Sequence, residues 1–256
     1  MKTALSADAC PLDTPLDRRF GEAVQRGFGG VELPISSTGP LRFDSPEEDC
    51  IPAAKLAARS GLGVVVVVTD EGEEFRLDSP APEARCAAED RIRAALERAP
   101  WVGAGAVVMP AVPCGPTAGR PALRYEEAHL HALEALLRLR FDAQQRTVRL
   151  ASPCGGSGLL RSPMEARDFI DRINSPWVGV GLDVGGVGRV ENAADWVRSL
   201  GWRMFHLRLD GCAGPSLGVE AHSAPGTGDV DWAELSAALS EMRYDGYCSS
   251  RDRWRT

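Results

Sequence analysis

Gly63-Val64-Val65-Val66-Val67-Val68-Thr69 sets five consecutive valines between a glycine and a threonine. β-Branched residues favour extended backbone, and an apolar run with no polar alternation is what a strand buried on both faces requires. Such strands belong to parallel sheets covered by helices, so the flanking sequence should read as helix on either side. Upstream, Pro46 to Ser60 is helical, with Glu47 and Glu48 suited to the positive end of a helix dipole. Downstream, an acidic, proline-containing loop from Asp70 to Pro82 leads into a helix over Pro82 to Arg98.

The same alternation continues in both directions. Lys2 to Ser6 is a first strand, followed by a helix over Asp13 to Arg26 with Leu16, Phe20, Ala23 and Val24 at helical spacing. Gly30 to Leu33 is a strand ended by Pro34. Beyond the valine run come the strand Ala104 to Met109, a Pro/Gly loop from Pro110 to Pro121, the helix Tyr125 to Arg140 and the strand Thr147 to Ala151. The helix Pro163 to Ile173, the strand Val178 to Asp183, the helix Asn192 to Leu200 and the strand Met204 to Leu209 follow. A helix over Val230 to Met242 and a strand over Tyr247 to Arg251 complete the series.

Eight strands and seven helices, with no linker between them, predict one α/β domain over residues 1–256. Its architecture is a (β/α)8 TIM-type barrel lacking the final helix. An open doubly wound sheet is the alternative, but no strand is followed by G-x-G-x-x-G. Without a last helix, the first and eighth strands should leave apolar surface exposed, and on that ground a homodimer is expected.

Composition narrows the function. The chain carries 29 Lys+Arg against 36 Asp+Glu, a net charge of −7, which opposes a duplex-DNA partner. Lys2 and Lys55 are the only lysines, and neither lies near the end of a late strand, which argues against Schiff-base chemistry. Seven scattered cysteines read as free thiols of a reducing compartment. Met1 to Ser6 begins no signal-peptide run, and Val64 to Val68 is too short to cross a membrane. The expectation is a cytoplasmic protein with a small-molecule ligand and no nucleic-acid or membrane partner.

In such a barrel, function gathers at the C-terminal ends of the strands. Those ends read Cys10, Glu32, Thr69, Cys114, Pro153-Cys154, Asp183, His206-Arg208-Asp210 and Arg251. Cys10, Cys114, Cys154 and Cys212 all follow strands. Converging thiolates could hold zinc or act as nucleophile and base, but no C-x-x-C spacing supports this, and burial as small core residues is the preferred reading. His129 and His131, two apart on a helix, point to different faces and read as exposed or ordinary packing residues. Glu32 either touches a ligand hydroxyl or pairs with an arginine.

Four segments carry a family resemblance: Arg26-Gly27-Phe28-Gly29-Gly30-Val31-Glu32-Leu33, the run from Ser175 to Gly185 containing Leu182-Asp183-Val184-Gly185, Gly226-Thr227-Gly228-Asp229-Val230-Asp231-Trp232, and Tyr244-Asp245-Gly246-Tyr247. In this order and spacing the chain resembles the xylose isomerase-like TIM barrels, the superfamily of sugar isomerases, sugar epimerases and endonuclease IV. The resemblance implies a divalent metal held by Glu, Asp, His and Glu from strands five to eight, where hard carboxylates and an imidazole polarise a sugar's oxygens. Asp183 matches the Asp of that set. Strand five reads Leu150-Ala151-Ser152-Pro153, with no carboxylate, and strand eight ends in Arg251.

On strand seven, alternation places Phe205, Leu207 and Leu209 on the helix side and His206, Arg208 and Asp210 in the interior, so His206 matches the family histidine. Asp183 and His206 are therefore the metal-ligand candidates, with Asp210 or His222 as a third. Asp183, His206 and Glu32 are the catalytic candidates, and Arg208, Asp210, Arg251 and His222 the substrate-binding ones. Arg251 either neutralises Asp183, lying within salt-bridge reach of Asp183 or Asp210, or, with Arg208, grips an anionic ligand group; the first is the preferred reading. The resemblance implies a sugar or polyol isomerase or epimerase whose usual metal-binding glutamates are missing. The alternative is an inactive barrel that binds a small molecule or a protein. An abasic-site endonuclease fits worst, since it needs several histidines and a basic face.

Overall fold

The computed structural model describes residues 2–69, 76–112, 124–155, 159–187, 192–212, 222–223, 225–226 and 230–252, with the backbone alone at 211, 212, 222 and 223. The parallel barrel strands are β1 (Lys2–Leu5), β2 (Gly30–Ile35), β3 (Gly63–Thr69), β4 (Ala106–Val108), β5 (Arg149–Cys154), β6 (Val178–Asp183) and β7 (Met204–Arg208). A short antiparallel pair, β8 (Gly211–Cys212) and β9 (His222–Ser223), stands apart, and β10 (Tyr247–Ser250) closes the ring between β7 and β1.

The helices are α1 (Leu16–Gln25), α2 (Glu47–Arg59), α3 (Pro82–Arg98), α4 (Tyr125–Arg146), α5 (Pro163–Ile173), α6 (Val184–Val187), α7 (Ala193–Leu200) and α8 (Trp232–Glu241). Among the described residues no helix follows β10. Seven of these helices are the expected ones, and α6 is an extra turn directly after β6. None is long and apolar enough to cross a membrane.

The core lies between sheet and helices. Val67, Leu150, Val180 and Leu207 point outward and are fully buried, against a helical layer that includes Phe20, Ile92, Leu136 and Trp196. Each such aliphatic burial is worth about 1.5–3 kcal/mol. The inner wall is lined by small residues. A Cβ at Gly181 would lie 3.8–3.9 Å from His206 Cβ, Val108 Cγ1 and Ala151 Cβ, so these residues share the interior. Gly179 lies on the same side of β6. Around Gly181 the wall is thus free of bulky side chains, and polar groups can enter the interior there.

Several element ends differ from the sequence expectation. Pro34 does not end β2; it pairs with Val68, and β1 has already stopped opposite Val31, so a residue without an N–H leaves no strand bond unmade on that side. β5 runs on through Pro153 to Cys154. α4 continues past Arg140 to Arg146 and is stopped by Thr147 at φ 56°, a left-handed conformation unusual for a β-branched residue.

Strict alternation also fails on β7. Val180 pairs with Met204 but Gly181 with His206, so Phe205 is an inserted residue. Its ring faces Gly179, where a Cβ would stand 2.7 Å from Phe205 Cε2. Phe205 is therefore on the inner side with His206, not on the helix side. A matching insertion places Val65 between the pairs Val31–Val64 and Glu32–Val66. Such bulges re-aim the residue beside them.

The expected apolar exposure at β1 and β10 is not found. Leu5 and Cys248, the outward apolar residues of the two strands, are 1% and 0% exposed. The argument for a homodimer drawn from that exposure therefore lapses.

Candidate active site

Two strands separated in the ring by β1 and β10, namely β2 and β7, supply the central pair. His206 Nε2 lies 2.7 Å from Glu32 Oε1, both side chains almost wholly buried. Glu32 Oε2 accepts the Ala7 backbone N–H at 2.8 Å and lies 3.3 Å from Ser6 Oγ, so the turn after β1 fixes the carboxylate. Burial alone would raise the Glu32 carboxyl. The hydrogen bond and charge of His206, the charge of Arg208 and the Ala7 N–H overcome this and hold it at about 2.

The sign of the pH effect follows. A carboxyl held at about 2 in the fold against an ordinary 4.5 adds stability that is present above 4.5 and lost as pH falls toward 2. Unfolding curves of the wild type and of Glu32→Gln are therefore expected to converge over that window. A gap that stays constant down to pH 2 would mean that the carboxylate charge contributes nothing.

Above this pair, at the C-terminal mouth, four charged residues interlock. The Arg208 guanidinium pairs with Asp8 and, through Nε at 3.1 Å, with Asp210 Oδ2. Arg251 reaches Asp8 Oδ2 from Nε at 2.9 Å and lies 3.9 Å from Asp210 Oδ2, while its backbone N–H donates to Asp210 Oδ1 at 2.8 Å. Burial works against the Arg208 cation, but Glu32, Asp8, Asp183 and Asp210 together hold it charged. Burial raises the Asp8 carboxyl, and the two arginines with Ser6 bring it down to about 2. Asp210 moves the other way: burial, with Asp8 and Asp183 nearby, outweighs the Arg251 N–H and Arg208 and raises it.

Asp183 is placed one layer above His206, since β6 pairs Asp183 with Arg208 and Gly181 with His206. Its Oδ1 accepts the N–H groups of Gly185 at 3.0 Å and Gly186 at 3.2 Å and so starts α6. Gly185 is required there: a Cβ would stand 2.3 Å from the Asp210 carbonyl oxygen. His222 is described only in its backbone, as is Cys212, and Cys114 lies outside the described residues. Cys154 is buried with Sγ 3.6 Å from the Gly181 carbonyl, and burial pushes its thiol up, the state of a packed and inert cysteine. His129 of α4 packs edge-on against Phe169 of α5, a packing role.

The structure thus gathers Glu32, His206, Arg208, Asp210 and Arg251, with Asp183 beside Arg208. It adds three residues that the sequence reading did not single out: Ser6, Asp8 and Arg19. Arg19 is 1% exposed and donates to the carbonyls of Ala7 at 2.6 Å and Pro11 at 2.9 Å, shaping the loop that carries Asp8. The available signal was position, since Ser6 and Asp8 stand immediately past the end of the first strand. Among the described residues, no group of three or more His, Cys, Asp or Glu is placed to hold a metal ion.

The family model of the xylose isomerase-like TIM barrel matches residues 20–255. The chain belongs to this family. A D-psicose 3-epimerase of Enterocloster bolteae is 36% identical over 89 residues, which is 34% of this chain and 27% of that enzyme's length. Among solved structures, a D-psicose 3-epimerase in the presence of D-fructose superposes with a TM-score of 0.80, covering 100% of this chain and 86% of the other at 14% identity. The 3-keto-D-glucoside 4-epimerase from E. coli superposes with a TM-score of 0.77 over 100% and 93% of the two chains at 16% identity. At those identities the superpositions establish the fold. Family membership makes this a xylose isomerase-like TIM barrel.

Proposed function

We propose that the chain is a sugar or polyol epimerase or isomerase that moves its proton with His206 and does so without the divalent cation of its family. The observation that carries this reading is the buried 2.7 Å pair of His206 and Glu32. Glu32 stays ionised and holds the ring, which leaves His206 Nδ1 as the ring nitrogen not engaged by the carboxylate. An unprotonated imidazole nitrogen suits proton abstraction from a carbon beside a carbonyl. As that proton leaves, the electron pair moves onto the carbonyl oxygen, and the Arg208 cation offsets the charge. Returned to the former carbonyl carbon, while the hydroxyl on the carbon that lost it passes its own proton to the other oxygen, the proton gives an isomer; a proton delivered instead to the opposite face of the same carbon by a second acid gives an epimer.

Among the described residues, the carboxylates at the mouth do not fit a divalent cation. Asp8 and Asp210 each face guanidinium groups, Glu32 spends its oxygens on His206, Ala7 and Ser6, and Asp183 caps α6. A catalytic metal usually has at least three protein ligands.

The second reading, a barrel that binds a small molecule without turning it over, has one observation in its favour. The arginine forks at the mouth are already filled by Asp8 and Asp210, and His206 is 5% exposed. Hydrogen exchange separates the two. Chelator-treated protein incubated in D2O with a panel of ketoses is expected to incorporate deuterium at the carbon beside the carbonyl. Saturable ketose binding with no exchange, with or without added Mn2+, would leave the binding reading.

A further inference from the structure

At the end of the barrel opposite the charged mouth, a cleft of about 580 Å3 opens between the N-terminal ends of the strands. This is within the range of pockets that take small organic ligands. The two inserted residues, Val65 and Phe205, both line it, and His206 forms part of its lining. Its walls are aromatic: Trp202, Phe205 and Tyr247, with Trp202 61% exposed although it is an indole.

Its charge runs against that of the chain. Arg149 and Arg243 both line the cleft, and neither takes part in any ion pair among the described residues. Arg149 lies with its guanidinium 5.0 Å over the Phe205 ring, and Lys2 stands 5.4 Å over Tyr247. Asp245 is the one carboxylate lining the cleft. One polar group nearby is unsatisfied as well. Two residues beyond Tyr247, and so on the same face of β10, Ser249 Oγ is fully buried with no hydrogen-bond partner.

We propose that this cleft binds a small carboxylate with a flat aromatic body. Aromatic walls take up the ring, and the unpaired guanidinium of Arg149 or Arg243 takes the carboxylate through its planar fork. Glu32 and Arg208 do not line the cleft, so it shares only His206 with the proposed reaction site and is a binding site, not a second active site.

Benzoate serves as the probe, benzyl alcohol as its uncharged counterpart, and calorimetric titration of the whole chain as the measurement. Benzoate is expected to bind with one site per chain and at least about tenfold more tightly than benzyl alcohol, as a charge-assisted hydrogen bond requires. The double variant Arg149→Met, Arg243→Met should lose that tenfold preference, and Trp202→Ala should weaken both probes. All three positions lie at the surface, so a thermal midpoint close to wild type checks the fold of each variant. Equal affinity for the two probes, or benzoate binding unchanged in the double variant, would overturn the assignment.

Discussion

Arg208→Met is expected to destabilise the protein by about 3–5 kcal/mol at pH 7, the cost of removing one partner from a buried charge network. Methionine preserves most of the apolar stem, so the loss reports the charge. Arg208 pairs directly with Asp8 and Asp210, and Glu32 and Asp183 also hold its cation. Without it, Arg251 alone faces Asp8 and Asp210. The stranded carboxyls would then rise above their ordinary value, further than Asp210 already does. A carboxyl raised in the fold contributes stability only below its unfolded value and loses it as pH climbs. The gap between wild type and variant should therefore widen from about pH 4 upward. Denaturant titrations at pH 4 and pH 7 measure it directly. A difference below 1 kcal/mol at pH 7 would mean that solvent at the mouth screens these charges.

His206→Gln is expected to lower the rate of solvent exchange into a turned-over ketose by about 10²–10⁴-fold, the usual contribution of a positioned general base. Glutamine can still donate to Glu32, so the carboxylate is not stranded and the fold should survive. Circular dichroism and the thermal midpoint check that point. Glu32→Gln should cost less, because it leaves a base in place but loosens its orientation. If His206→Gln retains wild-type exchange, the imidazole is not the base and the pair is structural.

Much of the scaffold was legible because its signals are local. β3, α3, α5 and β6 begin and end where the sequence places them. The valine run leaves little choice, Pro82 and Pro163 suit first helical turns, and the Ser162 hydroxyl accepts the Glu165 N–H at 3.2 Å. The misread ends lack such punctuation. α4 stops at a threonine in a left-handed turn, a conformation that sequence assigns to glycine or asparagine.

The site divides the same way. That Asp183, His206, Arg208 and Arg251 stand toward the ends of late strands follows from barrel geometry. That Glu32 meets His206, 174 residues away, does not, because no spacing rule links strands across a barrel. Asp8 was missed for a related reason: its partners come from the other end of the chain, at Arg208 and Arg251. Strict alternation misplaces Phe205, because one inserted residue on β7 reverses the order of faces.

The pairing of β1 with β10, from Lys2 opposite Tyr247 to Leu5 opposite Ser250, bears on how the molecule is made. A ribosome releases the first strand long before the strand that must seal it. Until Ser250 clears the exit tunnel, the sheet is an open ribbon whose β1 edge can bond only to β2. Synthesis at about 5–20 residues per second leaves that edge unsealed for many seconds. The exposed edge is only four residues long, and short edges are one way in which nature limits adventitious strand pairing. Lys2 at its start adds a charge that works in the same direction. The brevity of the first strand is thus a safeguard for the nascent chain during the interval before its partner arrives.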